Sequence, residues 1–221
     1  MKLASRSSLG WPPSAAPDQP TTNGVKIHYL GTPFSVASHA DCTAHVKQVR
    51  ISHLANTAEN YSDIAYNFLV CRHGYVYEGR GYGKRTGANG NQELNRGHYA
   101  VCVLLGSSGD TKPTDEMVDA TREVISNLRA KGAGSDILGH RDGYATSCPG
   151  DAMYSLVKSG KLEPDVPTTP KDDMDPVDVW AYKGKEARDA WNFLVTASKK
   201  VSDMNTRLVE LEKLIKQLLA K

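Results

Sequence analysis

Two histidines and a cysteine carry the first hint of chemistry. His140 and Cys148 stand eight residues apart in "GHRDGYATSCPG", residues 139–150. Gly, Asp, Thr, Ser and Pro dominate that stretch, so it reads as an ordered loop. A loop offering an imidazole and a thiol at close range suits metal binding or nucleophilic catalysis. The plainer reading stays open on spacing alone, because a free cysteine is commonly a small buried apolar side chain. A further imidazole, His28, lies far upstream in "VKIHYL". Two His and one Cys match the ligand count of a catalytic zinc centre, which takes three protein donors and keeps a fourth position open. Such an ion polarises a carbonyl and acidifies water. Only the tertiary fold can bring His28 to the other two.

The elements that must do so are readable from pattern. "VKIHYL" reads as a short strand with His28 inside it, and "DILGH" as another strand ending at His140. "NFLVC", the turn "RHG" and "YVYEG" form a hairpin signal. "HYAVCVLLG" is a continuous apolar run, as in a strand buried on both faces. "ADCTAHVKQVRISHLAN" has near-helical spacing. "TDEMVDATREVISNLRAKG" opens on a Thr N-cap with acids in the first turn and closes on basic residues before Gly132. Strands alternating with helices predict an α/β fold, a mixed central sheet flanked by helices.

Bulk properties bound the function. The chain has 221 residues, 39% apolar and 24% charged, enough for one sizeable core with an appendage. A net charge of +2 gives no electrostatic footprint for nucleic acid. No apolar run reaches the roughly 18 residues of a membrane span. The four cysteines, Cys42, Cys71, Cys102 and Cys148, are scattered with no C-x-x-C pair. They do not read as a disulfide framework and suit a reducing cytoplasm. "MKLASRSSLGWPPSAAP" lacks the apolar stretch of a secretory signal. The expectation is a protein made in a cytoplasm.

Several motifs, taken in order, resemble one family. "KIHYLGT", "SDIAYNFLVCRHGYVYEGRG", "TGANG", "YAVCVLLG" and "GHRDGYATSCPGD" resemble the signatures of zinc-dependent N-acetylmuramoyl-L-alanine amidases of type 2, the family that includes phage endolysins and peptidoglycan recognition proteins. The likeness runs over about residues 2–158. It implies that His28, His140 and Cys148 bind zinc. It implies hydrolysis of the amide joining the lactyl group of N-acetylmuramic acid to L-alanine, with Tyr66 and Thr146 stabilising the oxyanion. It offers His53, Arg85, Asn89 and His98 as candidates for substrate binding, with ordinary surface roles open for each. The chain departs from the family pattern at Tyr29, Tyr82 and Asn89, and it lacks the cysteine pair typical of animal recognition proteins. His39, His45 and His73 read as solvated or structural.

Beyond residue 162 the composition changes. Residues 163–175 are rich in Pro and acids and read as a semi-extended linker. Residues 176–221 read as a helical segment. Leu194, Ala197, Val201, Met204, Leu208, Leu211, Ile215 and Leu218 fall at alternating steps of three and four, the seam of a coiled coil. Leu214 and Leu219 widen that face. The predicted consequence is a homo-oligomer, with docking of the helix on its own domain as the rival. Trp180, Tyr182 and Trp191 suit either packing at the helix base or wall-polymer binding.

Taken with the resemblance, residues 1–162 form a zinc amidase domain followed by a linker and an oligomerising or wall-targeting tail. The expected partner is peptidoglycan, and the expected setting is a phage endolysin made in the host cytoplasm that lyses the host wall. A non-catalytic peptidoglycan-binding module and a bacterial wall-recycling amidase are the alternatives. The resemblance weighs against the first, because members that lose catalysis typically lose the Cys ligand.

Overall fold

The computed structural model describes residues 1–19 and 21–164, together with Val195, Val201, Met204, residues 206–211, Lys213, Ile215 and Lys216. The chain divides into two units, Met1–Val166 and Pro167–Lys221. In the first, ten elements follow one another: β1 (Lys2–Ala4), β2 (Thr22–Tyr29), α1 (His39–Ala55), β3 (Phe68–Val70), β4 (Tyr75–Glu78), α2 (Gln92–Gly97), β5 (His98–Val103), α3 (Asp115–Ala130), β6 (Ala133–Gly139) and α4 (Asp151–Lys158).

The strands form one sheet in the order β1-β4-β3-β5-β2-β6. The β3–β4 hairpin is antiparallel and every other neighbour pair is parallel. This is the mixed sheet expected from the sequence. β5 sits inside it and all six of its residues are buried, as its unbroken apolar run predicts.

Side-chain alternation sorts each strand between two faces. Val25 and Ile27 of β2 join Phe68, Val101 and Val103 in a core covered by α3 and α4. The α3 contribution, Met117, Ala120, Thr121, Val124, Ile125 and Leu128, falls at helical steps of three and four. Thr114 caps α3 by accepting from the Met117 N–H, a bond worth about 1 kcal/mol. On the other face Leu69, Cys71, Tyr77, Cys102 and Leu104 pack against Cys42 and Val46 of α1. α1 opens on a capping box in which Ser38 and Asp41 exchange side-chain-to-backbone bonds.

One cysteine expectation is overturned. Cys42 of α1 and Cys71 after β3 form a disulfide, while Cys102 and Cys148 are free. α1 lies on the sheet face that carries Cys71, so packing brings together two cysteines with no sequence signature of pairing. The reading of a fully reduced chain, and the support it lent to a cytoplasmic setting, falls with it.

Most of the linker lies outside the described residues, as do Trp180, Tyr182, Trp191, Leu194, Ala197, Leu214, Leu218 and Leu219. The described tail positions are helical. Val201, Met204, Leu208, Leu211 and Ile215 of the predicted seam are all exposed. No helix among the described residues is long and apolar enough to cross a membrane.

Candidate metal centre

Register solves the separation of His28 from His140. β2 and β6 run parallel with Ile27 opposite Gly139, and the His140 N–H donates to the Ile27 carbonyl at 3.1 Å. His140 therefore leaves β6 beside His28 at the carboxyl ends of both strands, where parallel sheets place their ligand sites. Alternation turns His28 to the face opposite Val25 and Ile27, in register with Cys102 of β5.

The loop after β6 then folds back. The Arg141 N–H donates to the Cys148 carbonyl at 3.1 Å, and Asp142 accepts from the Gly139 N–H at 2.8 Å and the Tyr154 hydroxyl at 2.6 Å. Lys26, two residues before His28 on the same strand face, is buried and donates from Nζ to the Asp142 carbonyl at 2.7 Å. A hairpin-like closure pinned by a buried ammonium thus returns Cys148 to His28, with Sγ 3.7 Å from His28 Nδ1. The ligand atoms of His28, His140 and Cys148 all lie within 4.8 Å of one another.

Hydrogen bonding decides which atoms are left for a metal. His28 Nε2 is taken by Asn89 Oδ1 at 2.9 Å, which places the proton on Nε2 and leaves the Nδ1 lone pair facing Cys148. His140 Nε2 is buried without a protein partner. Tyr144 stacks on the His140 ring at 5.2 Å and 10°, and Gly90 makes room for it. A Cβ at Gly90 would lie 2.3 Å from the Tyr144 ring, and the backbone there has φ +102°. Burial holds the imidazoles of His28 and His140 down to about 3 and about 4, so both are neutral at physiological pH, the form that ligates metal. Burial also pushes the Cys148 thiol up to about 11, partly offset by the Tyr29 N–H that donates to its sulfur at 3.4 Å. An orphaned buried nitrogen, an oriented second imidazole and a thiol make a cluster that could hold a metal ion, and they match in type the three protein donors a catalytic zinc site uses.

The cleft beside this triad has a volume of about 350 Å³, and His28, His53, Tyr66, His140, Thr146 and Cys148 all line it. Tyr66 is held by "EGRG": the Arg80 N–H donates to its carbonyl at 2.9 Å, and Arg80 Nε donates to the Ile64 carbonyl at 2.6 Å. Gly79 must be glycine there, since a Cβ would lie 2.3 Å from the Tyr66 carbonyl oxygen. The Tyr66 ring lies 5.6 Å from those of His28 and His53. Burial and the neighbouring Cys102 and Cys148 raise its phenol well above the ordinary range, so it presents an O–H donor. Thr146 Oγ1 accepts from the Cys148 N–H at 3.2 Å and keeps its own hydrogen to donate. His53 Nδ1 accepts from the Ala65 N–H at 3.0 Å, which puts its proton on Nε2.

The other three substrate-binding candidates are not in the cleft. Asn89 is fully buried. Besides holding His28, it donates from Nδ2 to the Leu94 and His98 carbonyls at 3.0 and 2.9 Å. It holds one ring nitrogen of His28 and does not line the cleft. His98 opens β5 opposite Gly24 and pairs with Asp136. It stands four residues before Cys102, the β5 residue opposite His28, and does not line the cleft. Arg85 contributes backbone bonds to Pro17 and Arg80 and does not line the cleft. Lys26 and Tyr144 also support the triad, and no sequence motif singles them out. The signal for Lys26 was its i, i+2 relation to His28 in a buried strand.

Comparison with known proteins gives the family and the fold. The profile of the family described as N-acetylmuramoyl-L-alanine amidase matches residues 18–151. Peptidoglycan-recognition protein SD of Drosophila melanogaster is 29% identical over 153 residues, which span 66% of this chain and 78% of that protein. The N-acetylmuramoyl-L-alanine amidase of Sus scrofa is 33% identical over 138 residues, 60% of this chain but 22% of that longer protein. Among solved structures, wild-type Drosophila PGRP-LB superposes with a TM-score of 0.62 at 25% identity, covering 76% of this chain and 98% of that one. The ectodomain complex of peptidoglycan recognition proteins LCa and LCx bound to tracheal cytotoxin gives 0.61 at 27%, covering 72% and 95%.

Proposed function

The chain belongs to the N-acetylmuramoyl-L-alanine amidase family, and we propose that it is a zinc-dependent hydrolase of peptidoglycan, cleaving the amide between N-acetylmuramic acid and L-alanine. One observation carries the reading. The free ligand atoms of His28, His140 and Cys148 converge within 4.8 Å at the wall of a cleft that also holds the phenol of Tyr66. His28, His140 and Cys148 would hold the ion, and zinc when bound would supply a Lewis acid that polarises the scissile carbonyl and lowers the pKa of water.

The chain's own groups do the rest. Asn89 keeps His28 in one tautomer, with its Nε2 proton turned away from Cys148. Tyr66 donates its O–H toward the oxygen on which charge develops, and Thr146, also lining the cleft, supplies a second neutral donor. His53, neutral with its proton on Nε2, binds a substrate carbonyl. The amide nitrogen must leave protonated, and the cleft is open to water that can deliver that proton.

The relatives named recognition proteins favour a second reading, peptidoglycan binding without hydrolysis. Retention of all three metal donors, Cys148 included, weighs for hydrolysis. The oxidised Cys42–Cys71 pair suits action on a wall outside a reducing compartment. An endolysin setting, with self-association through the exposed seam of the tail, is the biological context we propose. The test adds zinc-loaded protein to purified muropeptides of defined structure. The expected product is a free stem peptide with an L-alanine amino terminus and an intact lactyl carboxylate on the sugar. Binding without that product supports the recognition reading.

A further inference from the structure

A second donor cluster lies outside the cleft. Cys42, in the first turn of α1, and Cys71, the residue after β3, are bonded to each other and wholly buried. His73, two residues on in the turn to β4, brings Nδ1 to 3.2 Å from Cys71 Sγ and 3.6 Å from Cys42 Sγ. The three donor atoms lie within 4.8 Å of one another. Among the described residues only this triad and that of His28, His140 and Cys148 meet this condition.

The placement of His73 is poorly explained by the disulfide. Disulfide sulfur is a weak acceptor and donates nothing, so an imidazole aimed at both sulfurs gains little. The same three atoms in the reduced chain form a compact chelate of two thiolates and one nitrogen, a set suited to zinc and similarly thiophilic ions. His73 is only partly buried, so the ion has a route in and an open fourth position for water.

We propose that reduction of the Cys42–Cys71 disulfide creates a second metal site, in which the two thiolates and His73 Nδ1 bind one zinc ion. The chemistry balances in two steps. A dithiol reductant gives two electrons and two protons to the S–S bond, becomes a cyclic disulfide and leaves two cysteine thiols. The ion then displaces both thiol protons to solvent as the thiolates and the imidazole lone pair close on it. The outcome is a crosslink that persists in both redox states. The disulfide spans a sequence separation of 29 residues and ties α1 to the end of β3. The ion ties the same residues where the disulfide cannot last. The proposal is independent of what the cleft triad holds.

The test uses full-length, metal-stripped protein, oxidised or fully reduced with a phosphine as shown by thiol titration. Zinc is counted by equilibrium dialysis, and Cd²⁺ is added separately to read thiolate-to-metal charge transfer in the ultraviolet. The reduced wild type should bind one more zinc per chain than the oxidised wild type. His73→Ala leaves the disulfide intact, so its oxidised form checks the fold, and its reduced form should hold the extra ion at least tenfold more weakly. Cys42→Ser should lose the extra ion, and Cys148→Ser should keep it. Equal stoichiometry in the two redox states would overturn the proposal. So would an extra ion bound as tightly in His73→Ala and Cys42→Ser as in the wild type.

Discussion

Replacing Asn89 separates metal support from folding within one side chain. Its Oδ1 lies 2.9 Å from His28 Nε2 and fixes the proton there, and its Nδ2 donates to the partly buried Leu94 carbonyl and the buried His98 carbonyl. Asn89→Ala strands all three groups. Each unpaired buried polar group costs about 1–3 kcal/mol, and partial relaxation reduces the sum, so the expected loss is about 2–5 kcal/mol of folding stability. The His28 ring also loses its orienting partner, which for a metal-bound histidine typically costs about 10–100-fold in metal affinity. Asn89→Asp keeps an acceptor for His28 but turns the two donors into an oxygen facing two carbonyls. It should therefore lose stability while holding zinc within a few-fold of the wild type. Urea unfolding of the zinc-free proteins gives the first quantity, and competition against a chromophoric chelator gives the second. If Asn89→Ala binds zinc as tightly as the wild type, His28 is not a ligand oriented by Asn89, and the assignment of its Nδ1 to the metal is refuted.

Three further outcomes are expected. Tyr66→Phe should keep fold and zinc and lose roughly 10²-fold or more in turnover, the usual scale for one oxyanion donor; Thr146→Ala should lose less, and wild-type turnover in the Phe variant would make Tyr66 structural. Burial holds His53 down to about 4, with the Arg80 charge adding to the effect, so the unfolded chain takes up a proton near pH 6.5 that the folded chain accepts only near 4. Stability must then fall as pH drops through that window, and denaturant unfolding of His53→Gln across it should show a shallower slope. A chain ending at residue 166 should be monomeric by light scattering, as should Leu208→Asp, whereas the full chain should be larger; equal masses would leave the tail without a role in assembly.

Strand patterns, caps and motif order made most of the sheet legible: β2, the β3–β4 hairpin, β5 and α3 all follow from local periodicity. β1, α2 and α4 have three, six and eight residues, too few for a period to register. The convergence of His28, His140 and Cys148 was legible as a ligand count, whereas its cause, the parallel β2–β6 register, was not. Asn89 and His98 show the same limit in another form. Both residue types suit a groove, but their direction depends on how the loop before α2 turns inward and on which end of β5 meets the cleft. The Cys42–Cys71 pairing was invisible for a related reason, since it depends on how α1 docks and leaves no local trace.

The central claim is that these three ligands make the chain a hydrolase rather than a binder. Incubating the zinc-loaded protein with isolated peptidoglycan and quantifying newly exposed L-alanine amino groups tests it directly, with a chelator and with Cys148→Ser as controls. The account predicts release by the wild type that stops on chelation, returns with zinc and is absent in Cys148→Ser. Wall binding by the zinc-loaded wild type with no new amino termini, or equal release by Cys148→Ser, would contradict it.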